Sequence, residues 1–302
     1  MSFTGGELAP YCFLVNPAAD KAHNRSILLQ IEEFIRARND DSVLITTESA
    51  RSLRREAAEA ARRFPILVAC GGDGTIREVA SGLLGSRTTM GILPLGNGND
   101  LAKTLNIPTN TEDALNLLES GQPTRIDVGM MNGAIFVNTM GIGFDGLANI
   151  YAQKYTFLQG RFRYKLAALR AIAGYKAQKI EIIADGRSLN DRYFMVALAN
   201  GKVEGGDFWV APKARITDGF LDLVLIRDLP LWRIPGYMQR LTRPDYPDIP
   251  YLSVQRVRNV QIRLSQRLPI HMDGEIVHEE ELNLDIHIQP AAVEVICGLN
   301  IK

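Results

Sequence analysis

Cysteine is scarce in this 302-residue chain, with three residues at positions 12, 70 and 297. An odd number of scattered cysteines builds no disulfide framework, which excludes a small disulfide-stapled fold. Cys12 and Cys70 lie in apolar runs that read as buried strands, and buried free thiols fit a reducing cytoplasm. A charge excess of either sign is also missing: 34 Lys and Arg face 34 Asp and Glu. Non-specific nucleic-acid binding draws on a basic excess, so no nucleic-acid partner is expected. With 46% hydrophobic and 23% charged residues, the composition is that of a folded chain rather than long disorder. No apolar run approaches the roughly 20 residues that span a bilayer. Residues 1–10 lack the basic-then-apolar pattern of a signal peptide. A cytoplasmic protein is expected, touching a membrane only from outside the hydrocarbon. The four histidines, His23, His271, His278 and His287, show no metal-like spacing, which argues against zinc. No Gly-x-Ser-x-Gly elbow supports a serine hydrolase.

What is present has a clear rhythm. Tyr11–Val15 is a short apolar run stopped by Asn16-Pro17. Over Asn24–Arg38, Ile27, Leu28, Ile31, Phe34 and Ile35 recur at helical spacing, opposite Glu32, Glu33 and Arg36. Val43–Thr46 reads as a strand, and Ser49–Arg63, rich in Ala, Arg and Glu, as a helix. Ile66–Cys70 is a continuous apolar run, as in a strand covered on both faces, and a helix is expected over Thr75–Leu84. Met90–Pro94 and Thr111–Glu119 repeat the strand–helix alternation. This rhythm predicts a mostly parallel sheet with helices on both faces. After Ile126 strands crowd together: Ile180–Ala184, Tyr193–Ala199, Leu221–Ile226, Val254–Val257, Val260–Leu264, Ile270–Asp273 and Leu282–Ile288. Turn signals such as Asp185-Gly186, Asp218-Gly219 and Asp273-Gly274 join them, and helices are expected only around Gly146–Ala173 and Leu231–Arg240. An antiparallel β-sandwich or barrel follows. The expected organisation is an α/β domain over residues 1–127 and a β-rich domain over 128–302, with Val293–Cys297 able to pair with either.

Two loops carry the chemistry. Cys70-Gly71-Gly72-Asp73-Gly74-Thr75-Ile76-Arg77-Glu78 joins a buried strand to a helix. Glycines there allow close backbone approach to a ligand, and the helix N-terminus presents free N–H groups to an anion such as phosphate. Thr75 with Glu78 three residues later predicts a capping box. Asp73 repels phosphate directly but can reach a Mg²⁺ that the phosphates carry. The second loop, Pro94-Leu95-Gly96-Asn97-Gly98-Asn99-Asp100, follows the next strand. Parallel neighbours bring both loops to one crevice, where Asn97 and Asn99 can donate to phosphate or ribose oxygens and Asp100 can support a metal. Helix capping by the Asn and Asp residues is the plainer alternative.

In order along the chain, these motifs resemble the diacylglycerol kinase catalytic-domain superfamily, the lipid kinases that include bacterial YegS-like and DgkB-like enzymes and the sphingosine kinases. The resemblance rests on Val15-Asn16-Pro17, Gly71 to Thr75, and Pro94 to Asp100. Asp127-Val128-Gly129, Asn138 to Gly143 with Phe144-Asp145, and Asn200-Gly201 follow. Gly205-Gly206, Ala211-Pro212, Asp218-Gly219 with Leu221-Asp222, and Asp273-Gly274-Glu275 complete it. NAD kinases share the first Gly-rich loop but not the second loop or the final Asp-Gly-Glu in this form.

The resemblance implies an NAD kinase/diacylglycerol kinase-like α/β domain plus a β-sandwich. It also implies ATP-dependent phosphorylation of a lipid hydroxyl, with diacylglycerol or a related lipid alcohol as acceptor. By the same analogy Asn16, Thr46, Gly71, Gly72, Asp73, Gly74, Thr75, Arg77, Gly96, Asn97 and Asn99 belong to the nucleotide site. Asp73, Asp100 and Asp127 match the acidic set around the catalytic Mg²⁺. A structural metal is implied at Asp218 with Arg215 and Phe220. Glu275 matches the family's proton acceptor, whereas Asp-Gly-Glu read alone is an ordinary hairpin turn. The sequence departs from the pattern at Ala18-Ala19-Asp20-Lys21, where a Gly-rich stretch is usual, and at Asn97, where Thr is frequent. The lipid substrate implies transient peripheral contact with a membrane. Two segments suit an anionic interface: Phe157, Arg161, Phe162, Arg163, Tyr164, Lys165 and Arg170, and Leu231-Trp232-Arg233 through Tyr237, Arg240 and Arg243. A solvated helix face is the plain alternative for each. A soluble-alcohol or NAD kinase, and a non-catalytic nucleotide- or lipid-binding relative, are the rival readings. Oligomeric state, a homodimer included, is left open.

Overall fold

The computed structural model describes residues 10–16, 24–47, 49, 52–155, 166–167, 169–172, 174–206, 208–245, 249–277 and 282–298. They fall in two compact units, one within Met1–Ile126 and Ala291–Ile301, the other within Asp127–Pro290.

The first unit is α/β. Strands β1 (Tyr11–Val15), β2 (Val43–Thr46), β3 (Ile66–Gly71) and β4 (Thr89–Pro94) alternate with α1 (Asn24–Arg38), α2 (Leu53–Ala60) and α3 (Asp73–Leu83). After β4 come α4 (Asp100–Thr104) and α5 (Thr111–Ser120). The β1–β2, β1–β3 and β3–β4 pairs are parallel, in the order β2-β1-β3-β4. The apolar run of β3 is buried from its second residue on, as a strand covered on both faces must be. On one face Phe13, Val68 and Leu93 pack with Ile31 of α1 and Leu115 and Leu118 of α5. α2 and α3 contact each other, with Gly82 pressed against the backbone of Arg54. All three cysteines are free and buried. α3 starts at Asp73, with Gly72 as N-cap and no side-chain cap bond, so Thr75 is not the capping residue that the Thr75–Glu78 spacing suggests. The glycine leaves room for the β3 backbone to turn straight into the helix.

The second unit is an antiparallel β-sandwich. It contains the second half of β5 (Gln122–Met131), then β6 (Ala134–Phe136), β7 (Thr139–Gly143), α6 (Phe144–Lys154), β8 (Gln178–Ala184), β9 (Arg187–Ser188), β10 (Asp191–Ala199) and β11 (Leu221–Arg227). A 3₁₀ turn (Leu231–Arg233) runs into α7 (Ile234–Arg240), followed by β12 (Leu252–Val257), β13 (Asn259–Leu264), β14 (Ile270–Met272), β15 (Glu275–Val277) and β16 (Asn283–Cys297). Pairing follows β15-β14-β7-β10-β8-β13-β16, and β11 joins β10 to β12. Alternating burial along β8 and β13 marks one wet face and one packed face. The packed core includes Phe136, Met140, Ile182, Val196 and Leu223. A second cluster, with Phe144, Tyr175, Phe194 and Ile234, packs under α6 and α7. β16 is one continuous strand whose first half pairs with β13 and whose last residues pair in parallel with β4. The helix expected over Gly146–Ala173 ends as α6 at Lys154, and helix is described again at 166–167 and 169–172. Most of the first basic-aromatic segment, residues 157–165, lies outside the described residues, as does the Pro17–Lys21 stretch.

Candidate active site

β1 lies between β2 and β3, so the strand order reverses at β1. Ligands of open parallel sheets bind at the carboxyl ends of strands where that reversal occurs. The residues there are Asn16 after β1, Thr46 at the exposed end of β2, and Gly71-Gly72-Asp73 after β3. Asn16 donates its side-chain N–H to Thr75 Oγ1 at 3.0 Å and its backbone N–H to Cys70 O at 3.3 Å. Leu95 N–H reaches Gly71 O at 2.9 Å, which joins the second loop to the first. The contact is backbone on backbone: a Cβ at Gly96 would stand 2.6 Å from Gly72 Cα. Both glycines are therefore needed for close approach rather than for a special dihedral.

The carboxylates divide their work. Asp73 Oδ1 accepts the N–H groups of Asp100 at 2.8 Å and Leu101 at 3.4 Å, and so caps α4 from the other loop. A Cβ on Gly98 would be 2.9 Å from Asp73 Oδ2 and 3.4 Å from Asp100 Oδ2, so two carboxylate oxygens converge over that glycine. Burial raises the Asp73 carboxyl pKa, against the opposing pull of the Leu101, Asp100 and Asn99 N–H bonds and Lys103. An all-oxygen pair of this kind fits Mg²⁺, whose charge would offset that burial. Asn99 spends its amide inside the loop, accepting from Gly96 N at 2.9 Å and donating to Gly96 O at 2.8 Å, with a left-handed φ of 52°. Asn97 is exposed. Arg77 bonds Glu78 at 3.2 Å on α3, and Gly74 is the second residue of that helix.

Asp127 belongs to the second unit. It is buried, and its Oδ2 accepts the Gly219 N–H at 2.7 Å, tying β5 to the 216–219 turn. Asp218 accepts from Phe220 N at 3.1 Å and pairs with the Arg256 guanidinium. The Arg256 and Arg258 guanidinium carbons lie 4.3 Å and 4.5 Å from the Phe220 ring centroid, while Arg215 is exposed. Arginine thus supplies positive charge beside the Asp218 carboxylate. Asp273 organises the last turn. Its carboxylate accepts from Asn138 N at 2.8 Å, Val137 N at 2.9 Å and Thr139 N at 3.1 Å, and the Asp273-Gly274 φ values are 49° and 78°. That turn sets Glu275, exposed, at the start of β15.

A third group was not legible as a cluster in the sequence. His271, fully buried, lies with Nε2 2.9 Å from Asp145 Oδ2 and 2.8 Å from Glu204 Oε1. The expectation that no histidine pairs with other ligand-type groups is corrected here, because strand register rather than sequence spacing brings them together. His271 stands opposite Gly141 in the β14–β7 ladder, and the Gly141 backbone packs on both His271 and Asp145. Asp145 was legible in the Phe144-Asp145 motif, whereas Glu204 carried no local signal. Asp145, Asn149 and Glu204 form the polar end of a small pocket of about 60 Å³ whose walls are apolar, including Phe144, Met195, Phe208, Val210 and Leu241. Phe208 and Met238 also line a neighbouring groove of about 400 Å³ with Leu169, Ile172 and Pro235. A Cβ on Gly274 would lie 3.9 Å from Asn149 Oδ1, so the polar end adjoins the turn that carries Glu275.

Comparison with known proteins agrees with this arrangement. Residues 10–131 match the diacylglycerol kinase catalytic domain, and residues 138–297 match the YegS C-terminal NAD kinase beta sandwich-like domain. The diacylglycerol kinase of Bacillus subtilis (strain 168) is 28% identical over 287 residues, covering 91% of this chain and 93% of that protein. A YegS-like probable lipid kinase of Chromohalobacter salexigens is 30% identical over 261 residues, covering 83% and 82%. A crystal structure of a diacylglycerol kinase from Bacillus anthracis str. Sterne shares the fold, with a TM-score of 0.78, 21% identity and coverage of 99% and 100%. Another from that organism has a TM-score of 0.83, 24% identity and coverage of 98% and 99%. The chain belongs to the diacylglycerol kinase and YegS-like family and is a lipid kinase.

Proposed function

We propose that the protein transfers the γ-phosphate of ATP, with Mg²⁺, to the hydroxyl of a membrane lipid alcohol such as diacylglycerol. The observation that carries the acceptor reading is the apolar pocket of the sandwich, whose polar end adjoins the turn bearing Glu275. The pocket, of about 60 Å³, takes a group the size of one hydroxyl, and the groove of about 400 Å³ that shares Phe208 and Met238 with it has room for an apolar chain. The donor reading rests on the two loops at the strand-order reversal. The N–H groups at the start of α3 face phosphate, and the close Gly72–Gly96 contact holds both loops in register. Asp73 and Asp100 would hold Mg²⁺, which when bound neutralises phosphate oxygens. Asp127 is proposed to complete the acidic set. Glu275 accepts the hydroxyl proton as the acceptor oxygen bonds to phosphorus, and the Asp273 bonds keep the turn from drifting during that step.

The test is transfer of label from ATP to a broad lipid panel in the presence of Mg²⁺. Glu275→Gln should lower turnover about 10²- to 10⁴-fold, the usual worth of general-base assistance, with an unchanged melting temperature. If no lipid is labelled above that variant, or a water-soluble alcohol is labelled instead, the acceptor reading fails.

A further inference from the structure

We propose that Asp145 and Glu204, held together by the buried His271, recognise the acceptor's head group, admitting uncharged or cationic groups that donate hydrogen bonds and excluding anionic ones. This rests on the acceptor reading above and adds a substrate class to it. The cluster is a built site. His271 is fully buried, and any side chain at Gly141 would collide with both His271 and Asp145. Glu204 is 7% exposed and lines the pocket, and among the described residues its Oε2 has no hydrogen-bond partner. A buried oxygen without a donor is costly, so a ligand that brings a donor is favoured at that position.

Two carboxylates and an imidazole could also suggest a metal. The ring's charge opposes it. Burial lowers the His271 pKa, but the charges and hydrogen bonds of Glu204 and Asp145 outweigh it and hold the imidazole well above its ordinary value, so Nε2 carries hydrogen between the carboxylates. A nitrogen that carries hydrogen does not ligate. Burial above all, and then the charge of Asp145, push the Glu204 carboxyl up to about 7, with His271 opposing. Asp145 from α6 and His271 from β14 are the titratable groups that face Glu204. Above neutrality the cluster therefore keeps a net negative charge, two carboxylates against one imidazolium. The carboxylates accept from a hydroxyl or ammonium and repel a phosphodiester. At about 5 Å and an effective dielectric of about 20, that repulsion is a factor on the order of 100.

The full chain is assayed with diacylglycerol and with phosphatidylglycerol in the same neutral-detergent micelles, and the kcat/KM ratio is read. At about pH 8 the ratio should favour diacylglycerol by about tenfold or more. Glu204→Gln and Asp145→Asn should each pull it toward one. In the wild-type protein, lowering the pH to about 6 should also narrow the ratio as Glu204 gains its proton, a readout that needs no variant to fold. A ratio that moves neither in the variants nor with pH overturns the proposal. So does one-to-one binding of Mn²⁺ or Zn²⁺ that is lost in Glu204→Gln. Glu275→Gln should slow both lipids alike and leave the ratio as it is. If it slows neither, the general-base reading fails while the ratio still decides the head-group site.

Discussion

Gly72 and Gly96 show how much one hydrogen atom decides. Each presents its bare backbone to the other, and a methyl at Gly96 would sit 2.6 Å from Gly72 Cα and 3.0 Å from Asn99 Oδ1. Gly96→Ala must therefore part the two loops. Overpacking of this order costs about 1–3 kcal/mol. The expected outcome is a lower melting temperature together with weaker ATP binding by calorimetry. Unchanged ATP affinity would show that the loop contact serves stability alone. At this scale the sequence spoke clearly for the glycines and Asp73, because a Gly-rich strand-to-helix loop has few other uses. It was silent on how Asn99 spends its amide and on Glu204. Those roles depend on partners that local sequence does not name.

At the scale of elements, β11 carries a cost. Burial first, then the charge of Asp218, raise the Asp222 carboxyl to about 6, with Arg256 opposing. The folded value lies above the unfolded one of about 3.9, so ionised Asp222 opposes folding. The penalty is absent below about pH 4 and fully present above about pH 6. Asp222→Asn should stabilise the protein by on the order of 1–2 kcal/mol at pH 7 and by nothing at pH 4. Equal melting-temperature shifts at both pH values would contradict this origin. Most elements were legible from periodicity, and the Asp185-Gly186 and Asp273-Gly274 turns were legible from composition. Both turns adopt positive φ at both residues, the geometry that Asp-Gly favours in hairpins. β5 and β6 were not read as strands, and neither was β7, because Gly141 and Gly143 interrupt its apolar pattern. Asn138 and Gly141 are spent on contacts: Asn138 donates to Val203 O at 2.8 Å, and Gly141 makes room for His271.

For the molecule as a whole, balanced charge means that membrane contact, if the proposed function holds, would fall to a local patch. Among the described residues no helix is long and apolar enough to cross a membrane. Residues 229–244 hold Arg233, Arg240 and Arg243 and no acidic residue. Trp232 is 76% exposed and Leu231 48% exposed at the 3₁₀ turn, and the Arg233 guanidinium lies 4.9 Å from the Trp232 ring. An exposed tryptophan beside cations suits the interface of an anionic bilayer, and α7 also lines the groove that adjoins the acceptor pocket. Trp232→Ala should reduce co-sedimentation with anionic vesicles by about tenfold, from the apolar area withdrawn, while turnover in detergent micelles stays the same. Equal binding to neutral and anionic vesicles would remove the arginines from the account.

The sequence by itself determined the alternation of elements, the two Gly-rich loops and the candidate base, because backbone periodicity and glycine demands are local. Only the tertiary structure decided which carboxylates meet. Asp73 and Asp100 converge over Gly98, Asp218 is answered by Arg256, and Asp145 and Glu204 meet on the buried His271 at the end of an apolar pocket. The reason is register: strand pairing places residues from distant positions side by side, and burial then sets their charge.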